Sequence, residues 1–226
     1  MPWKAVLFDA TGTLIELRNP VAESYARFAR AHGVNLPSEQ LDEAWRQVVS
    51  GRELRCFPEA ALEDVPGLER AWWYEVVRAT FRACDPSSRF PDFDAFFNEL
   101  FEFYATAEAW CSRPAVDATL ARLIQAGLQL GIVSDFDYRL TDILKDIGIK
   151  QFFDVIVLAG SCGATKPAER LFKTALATME LSARDAVYVG DDPERDLAGA
   201  RAAGLAALDV RSLARFSDLP ERLATL

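Results

Sequence analysis

"AVLFDATGTL", residues 5–14, decides how the rest of the chain is read. Four aliphatic and aromatic residues are too few for a buried helix, and they run straight into Asp9 and a Thr-Gly-Thr turn. The stretch therefore reads as a short buried strand with a carboxylate at its carboxyl end. Four further runs have the same character: "LQLGIV" (128–133), "VIVL" (155–158), "AVYV" (186–189) and "LAALDV" (205–210). They alternate with "AVDATLARLIQAG", "DYRLTDILKDIG", "PAERLFKTALATME" and "PERDLAGARAAG", whose apolar residues recur at three- and four-residue spacing. Three of these four stretches end in glycine, a common helix stop. Strands alternating with helices of this length predict an α/β fold built on a parallel sheet covered on both faces.

The first and second strands are separated by a long segment, residues 16–109, in which no strand is expected. "NPVAESYARFARAHG" predicts a helix with Asn19 as N-cap, Pro20 at the first helical position and Gly33 past the end. "SEQLDEAWRQVVSG", "GLERAWWYEVVRATFRA" and "DFDAFFNELFEFYATAEAW" predict three more. The simplest organisation is a discontinuous core, residues 1–15 and 110–226, with an all-helical domain inserted over 16–109. The aromatic residues of the insert, Trp45, Trp72, Trp73, Phe81, Phe97 and Phe101 among them, are expected to form its own small core.

Composition narrows the function. The 226 residues are 50% hydrophobic and 26% charged, ordinary for a globular chain. A formal charge of −9 leaves little counter-charge for a phosphodiester backbone, so nucleic acid is not expected as a partner. No run approaches the roughly 18–20 apolar residues of a membrane span, and the amino-terminal residues have neither the length nor the flanks of a signal peptide. The expectation is a cytoplasmic protein, monomeric or homodimeric, that takes a small substrate and has no membrane partner. Cys56, Cys84, Cys111 and Cys162 show no metal-ligand spacing and are expected to be reduced thiols. His32 is the sole histidine, placed where a helix should end, and a helix-dipole role suits it. A His-dependent catalytic triad then has no base.

In an open parallel sheet, ligands gather at the carboxyl ends of the strands. Four strand ends here carry chemically capable residues: Asp9, Thr11 and Thr13; Ser134, Asp135 and Asp137; Lys166 before Pro167; and Asp191, Asp192 and Asp196. Each has an ordinary structural explanation alone, as turn residue, helix cap or solvated side chain. Their coincidence on one sheet edge does not. Carboxylates from two strand ends repel unless a cation lies between them, and hard oxygen donors with few nitrogens suit Mg²⁺. A nucleophile, a divalent cation, a hydroxyl donor and a lysine together describe phosphoryl transfer.

These motifs resemble the haloacid dehalogenase-like superfamily. "LFDATGTL" is similar to its first motif, "GIVSDF" to its second, "TKP" to its third and "VYVGDDPERDLAGARAAG" to its fourth, and the likeness spans essentially the whole chain. The resemblance implies a Rossmann-like core with a helical cap and a Mg²⁺-dependent phosphatase acting on a small phosphorylated metabolite through an aspartyl-phosphate. It implies Asp9 as nucleophile, and Asp9, the Thr11 carbonyl and Asp191 as Mg²⁺ ligands with Asp192 or Asp196 beside them. It implies phosphate contacts from Ser134, Asp135, Lys166, Gly12 and Thr13, with Gly12 permitting the tight turn that presents backbone N–H groups, and Lys166 also offsetting the charge on Asp9.

One position departs from the family. Most of its phosphatases carry a second aspartate where Thr11 stands, a general acid-base whose loss costs roughly 10²–10⁴ in rate. Cation-pumping ATPases of the superfamily carry threonine there. Dehalogenation implies an arginine-rich, metal-free site, at odds with "GDDPERD", and phosphonate cleavage implies a cap lysine that the insert lacks. Arg52 and Arg55 are the basic residues of the insert placed to reach over the cleft. The alternative to a phosphatase is a binding or regulatory protein that keeps the fold with little or no turnover.

Overall fold

The computed structural model describes residues 2–52 and 56–226. β1 (Ala5–Phe8) leads through the Asp9 turn into a short strand, β2 (Ile15–Leu17). Four helices follow: α1 (Val21–Ala31), α2 (Ser38–Ser50), α3 (Val65–Cys84) and α4 (Phe93–Phe103). A second short strand, β3 (Trp110–Ser112), returns antiparallel to β2, with Ile15 opposite Ser112 and Leu17 opposite Trp110. Then come α5 (Val116–Gln125), β4 (Gln129–Ser134), α6 (Leu140–Asp146), β5 (Val155–Leu158), the single turn α7 (Ala159–Cys162), α8 (Glu169–Thr178) and β6 (Ala186–Gly190). A π-helical turn, Pro193–Ala198, runs into α9 (Gly199–Ala202), and β7 (Ala206–Asp209) and α10 (Leu219–Ala224) end the chain.

The five long strands form one parallel sheet in the order β5-β4-β1-β6-β7, so the expected α/β, Rossmann-like fold is present. Because β1 is flanked by β4 on one side and β6 on the other, chain direction across the sheet reverses at β1. That reversal opens a crevice beyond its carboxyl end. Strand alternation places Val6, Phe8, Ile132, Val187 and Val189 in one apolar layer under α5, α6 and α10. Ala5, Leu7, Val133, Ala186 and Tyr188 face the opposite layer, under α8 and α9. Both faces of β1 are fully buried, which explains why it reads as an uninterrupted apolar run.

Helices α1–α4 bury a third cluster of their own, with Tyr25, Leu41, Val77, Phe81, Phe96 and Phe101 at its centre. Two expectations need correction here. The β2–β3 ribbon was not foreseen, since three residues per strand carry too little alternation to register. Helix α1 begins at Val21 behind Pro20 with no side-chain cap, so Asn19 is not its N-cap. His32 does sit at the carboxyl end of α1, with Nε2 3.1 Å from the Glu99 carboxylate. Among the described residues no helix is long and apolar enough to cross a membrane, and the four cysteines form no disulfide.

Candidate active site

β1 delivers Asp9 to the crevice, where the carboxylate is 7% exposed. The backbone must turn sharply after it, and Gly12 allows this with φ +85°. A Cβ at Gly12 would also stand 2.8 Å from Asp191 Oδ2, so the position needs glycine for space as well as conformation. Gly190, at the end of β6, is comparable: a Cβ there would lie 2.5 Å from Asp196 Oδ2. Gly12 lets the acidic loop after β6 close against the turn after β1, and Gly190 lets Asp196 fold back against the end of β6. Thr13 is fully buried and donates from Oγ1 to Asp191 Oδ1 at 3.3 Å, tying the two loops together.

Lys166 lies at the centre. Its ammonium, on a residue 4% exposed, donates to Asp9 Oδ1 at 2.6 Å, to Asp196 Oδ1 at 2.5 Å and to the Tyr188 hydroxyl at 3.3 Å. Burial acts to lower the Lys166 pKa, but the carboxylates of Asp9, Asp196 and Asp135 overcome it and hold the ammonium above its ordinary value. Burial pushes Asp9 up to about 6 against the pull of Lys166, with Asp196 adding to the rise. Asp191 is likewise raised, by burial and then by Asp196. The crevice thus holds more negative charge than its one lysine neutralises.

The carboxylates divide by their partners. Asp9, Asp191 and Asp196 each offer an oxygen within 4.8 Å of the others, a hard-oxygen cluster of the kind that fits Mg²⁺. Asp196 also accepts the backbone N–H groups of Asp191 and Asp192 at 3.1 and 3.0 Å, so it shapes the loop as well as joining the cluster. Asp192 lies outside the cluster. Its Oδ1 accepts the N–H groups of Glu194 and Arg195, both at 2.9 Å, capping the π-helical turn, and these bonds lower its pKa. Ser134 is buried and its Oγ accepts the Phe136 N–H at 3.2 Å, which leaves the hydroxyl proton to donate.

Three of the expected contact residues have partners within the chain. The Asp135 carboxylate accepts the Lys166 backbone N–H at 2.9 Å and pairs with the Arg195 guanidinium, anchoring the Lys166 loop. The Gly12 N–H donates to Ile15 O at 2.9 Å inside its own turn, so any N–H presented to a ligand there belongs to a neighbouring residue of the turn. Arg52 donates to Glu75 O on α3 at 3.2 Å, while Arg55 lies outside the described residues. Thr11 is exposed at the mouth of the crevice.

Some site residues escaped the sequence reading. Tyr188 is fully buried, and its hydroxyl contacts Val133 O at 3.0 Å and Asp196 Oδ1 at 3.1 Å, steadying the Lys166 ammonium from below. The only sign of it was an aromatic with a polar tip inside a strand otherwise aliphatic. Trp73 packs against the helical cluster as expected, and with Trp72 it also lines a cavity of about 350 Å³ together with Asp9, Ser134, Lys166 and Asp191. A second cavity of about 410 Å³ adjoins it, walled by Tyr25, Trp45, Trp73 and Tyr104.

The model of the haloacid dehalogenase-like hydrolase family matches residues 3–204. Haloacid dehalogenase-like hydrolase domain-containing protein 3 of Mus musculus is 34% identical over 206 residues, covering 89% of this chain and 79% of that protein. A phosphoserine phosphatase of Thermus thermophilus is 28% identical over 222 residues, covering 91% of this chain and 87% of its own. Among solved structures, a predicted phosphoglycolate phosphatase from Haemophilus somnus superposes with a TM-score of 0.66 at 20% identity, covering 99% of either chain.

Proposed function

The chain belongs to the haloacid dehalogenase-like hydrolases, and from that premise we propose that it is a Mg²⁺-dependent phosphatase of small phosphorylated metabolites, acting in the cytoplasm as a monomer or homodimer. The observation that carries this reading is the buried Lys166 ammonium held against Asp9 where the sheet changes direction. In this reading residues 1–15 and 110–226 are the catalytic core, and residues 16–109 are the cap that covers it.

Asp9 is the nucleophile. One of its oxygens bonds to phosphorus while the bond to the leaving oxygen breaks, giving an aspartyl-phosphate that water then hydrolyses. Lys166 keeps the Asp9 carboxylate ionised despite burial and, with the Ser134 hydroxyl, offers donors to the phosphoryl oxygens. Asp9, Asp191 and the Thr11 carbonyl would hold Mg²⁺, which supplies screening between carboxylates and phosphate when bound. Asp196 positions Lys166 and the Asp191 backbone. Thr13 positions Asp191, and Asp192 and Asp135 set the two flanking loops.

Incubating the protein with acetyl phosphate and 4-nitrophenyl phosphate tests the reading. Phosphate release above background with Mg²⁺, lost in chelator, is the expected result. A folded protein that releases none from either compound is instead the binding or regulatory protein that Thr11 favours. Thr11 bears on rate because it has no proton to give near neutral pH. Its exposed position leaves room for a carboxylate, so Thr11→Asp is expected to raise hydrolysis of glycerol phosphate by about 10²-fold, with a much smaller gain on 4-nitrophenyl phosphate. Equal glycerol phosphate rates in both proteins would show that the missing acid is not what limits them.

A further inference from the structure

The cavity holding Asp9 and the larger one beside it share four walls: Thr11, Trp73, Phe136 and Arg195. They are two lobes of one space, meeting where the bond to the leaving group would break. The lobe without Asp9 is about 410 Å³, within the usual range for small-molecule sites of roughly 300–1,000 Å³. Its walls are mainly rings and aliphatic chains from α1–α4 and the ribbon, including Tyr25, Trp45, Phe97 and Trp110.

Of the charged residues on that wall, Arg139 and Asp137 are matched to each other, while Arg195 pairs with Asp135 and keeps its buried Nε without a partner among the described residues. Arg139 donates to Asp137 from Nε at 2.9 Å and from Nη2 at 2.7 Å, and Trp73 Nε1 donates to the same carboxylate at 2.7 Å. The Arg139 guanidinium carbon lies 3.9 Å from the centre of the Phe101 ring, which covers it further. The polar atoms left without a partner on that wall, among the described residues, are Trp45 Nε1, the Tyr104 hydroxyl and Arg195 Nε, too few to match a sugar that carries a hydroxyl on nearly every carbon, though enough to meet the one oxygen of a phenol. An aromatic ring would surrender little hydration and gain ring contacts.

Thr11, at the junction of the lobes, agrees with this lining on separate chemical grounds. An alkoxide needs a proton as it leaves, whereas an aryloxide is stable enough to depart without one. From the aromatic lobe and the proton-poor junction we infer that the substrate is a phosphate monoester of an aromatic alcohol, its ring seated among Tyr25, Trp45 and Trp73. The inference rests on the phosphatase reading. An Asp9 oxygen bonds to phosphorus as the phosphorus–aryl oxygen bond breaks, and the electron pair leaves with the aryloxide. Water oxygen then bonds to phosphorus, the Asp9–phosphorus bond breaks, and the proton from water passes to solvent with the phosphate.

Val21 and Leu17 line the lobe and are only partly buried, so bulk added there fills the space without displacing the core. Calorimetric titration with two inert phosphonates separates ring from phosphate. The protein is expected to bind 1-naphthylmethylphosphonate at least about tenfold more tightly than methylphosphonate, and Val21→Trp should erase that gap. The ratio of kcat/KM for 1-naphthyl phosphate to that for acetyl phosphate should fall by a similar factor in the same variant. Leu17→Phe serves if Val21→Trp does not fold. Equal binding of the two phosphonates by the unaltered protein, or a gap that survives filling in either variant, overturns the aromatic assignment even where acetyl phosphate is hydrolysed. Acetyl phosphate left intact by a folded protein that still prefers the naphthyl compound overturns the phosphatase reading, while the lobe remains a pocket for rings.

Discussion

Asp9→Asn is expected to bring phosphate release from acetyl phosphate down to the uncatalysed background, a loss of about 10⁴-fold or more. The amide keeps the shape of the carboxylate but lacks a nucleophilic oxygen, so no acyl-phosphate forms. The substitution should leave the fold intact. Burial already drives Asp9 toward its neutral form, with a pKa raised to about 6, and a neutral side chain suits that position. A melting transition close to that of the unaltered protein, alongside lost turnover, would tie the effect to chemistry. Turnover that persists in the variant would remove Asp9 from the nucleophile's role.

Lys166→Met should damage both rate and stability. The ammonium sits between the Asp9 and Asp196 carboxylates at 2.6 and 2.5 Å, and all three residues are buried. Removing it leaves two carboxylates facing each other in a space with little water, and uncompensated buried charge of this kind costs about 3 kcal/mol or more. Urea unfolding in a chelating buffer measures that loss without a cation to conceal it. Turnover should fall by at least about 10²-fold, since the same group supports the nucleophile and the phosphoryl oxygens. A variant as stable and as active as the parent would mean that water or protonation replaces Lys166 at no cost.

Most of the frame was legible in the sequence because strands buried on both faces leave short aliphatic runs, and "VIVL" matches the strand Val155–Leu158 residue for residue. The carboxylate cluster was legible for a related reason. The sheet gathers strand ends, so Asp9, Lys166, Asp191 and Asp196 could be placed together without knowing any distance. Periodicity stops at the question of which neighbour a side chain meets across elements. Trp73 does pack against the helical cluster, but helical spacing gives no sign that it and Trp72 also turn toward the Asp9 cavity. The pairing of Asp135 with Arg195, 60 residues away on a different loop, has no local sign in the sequence. The separate parts played by Asp192 and Asp196 depend on a π-helical turn, and no local pattern announces one.

The Lys166 contact also bears on the order in which the molecule is made. Many acidic metal sites come together only as their ion arrives, so that apo chains remain unfolded. Here the chain brings an internal cation to its own acidic cluster, and Asp9 and Asp196 are drawn together by a group encoded in the same polypeptide. The fold then does not need a divalent ion to bring these two carboxylates together, and under the proposed function metal loading would be a later, reversible event.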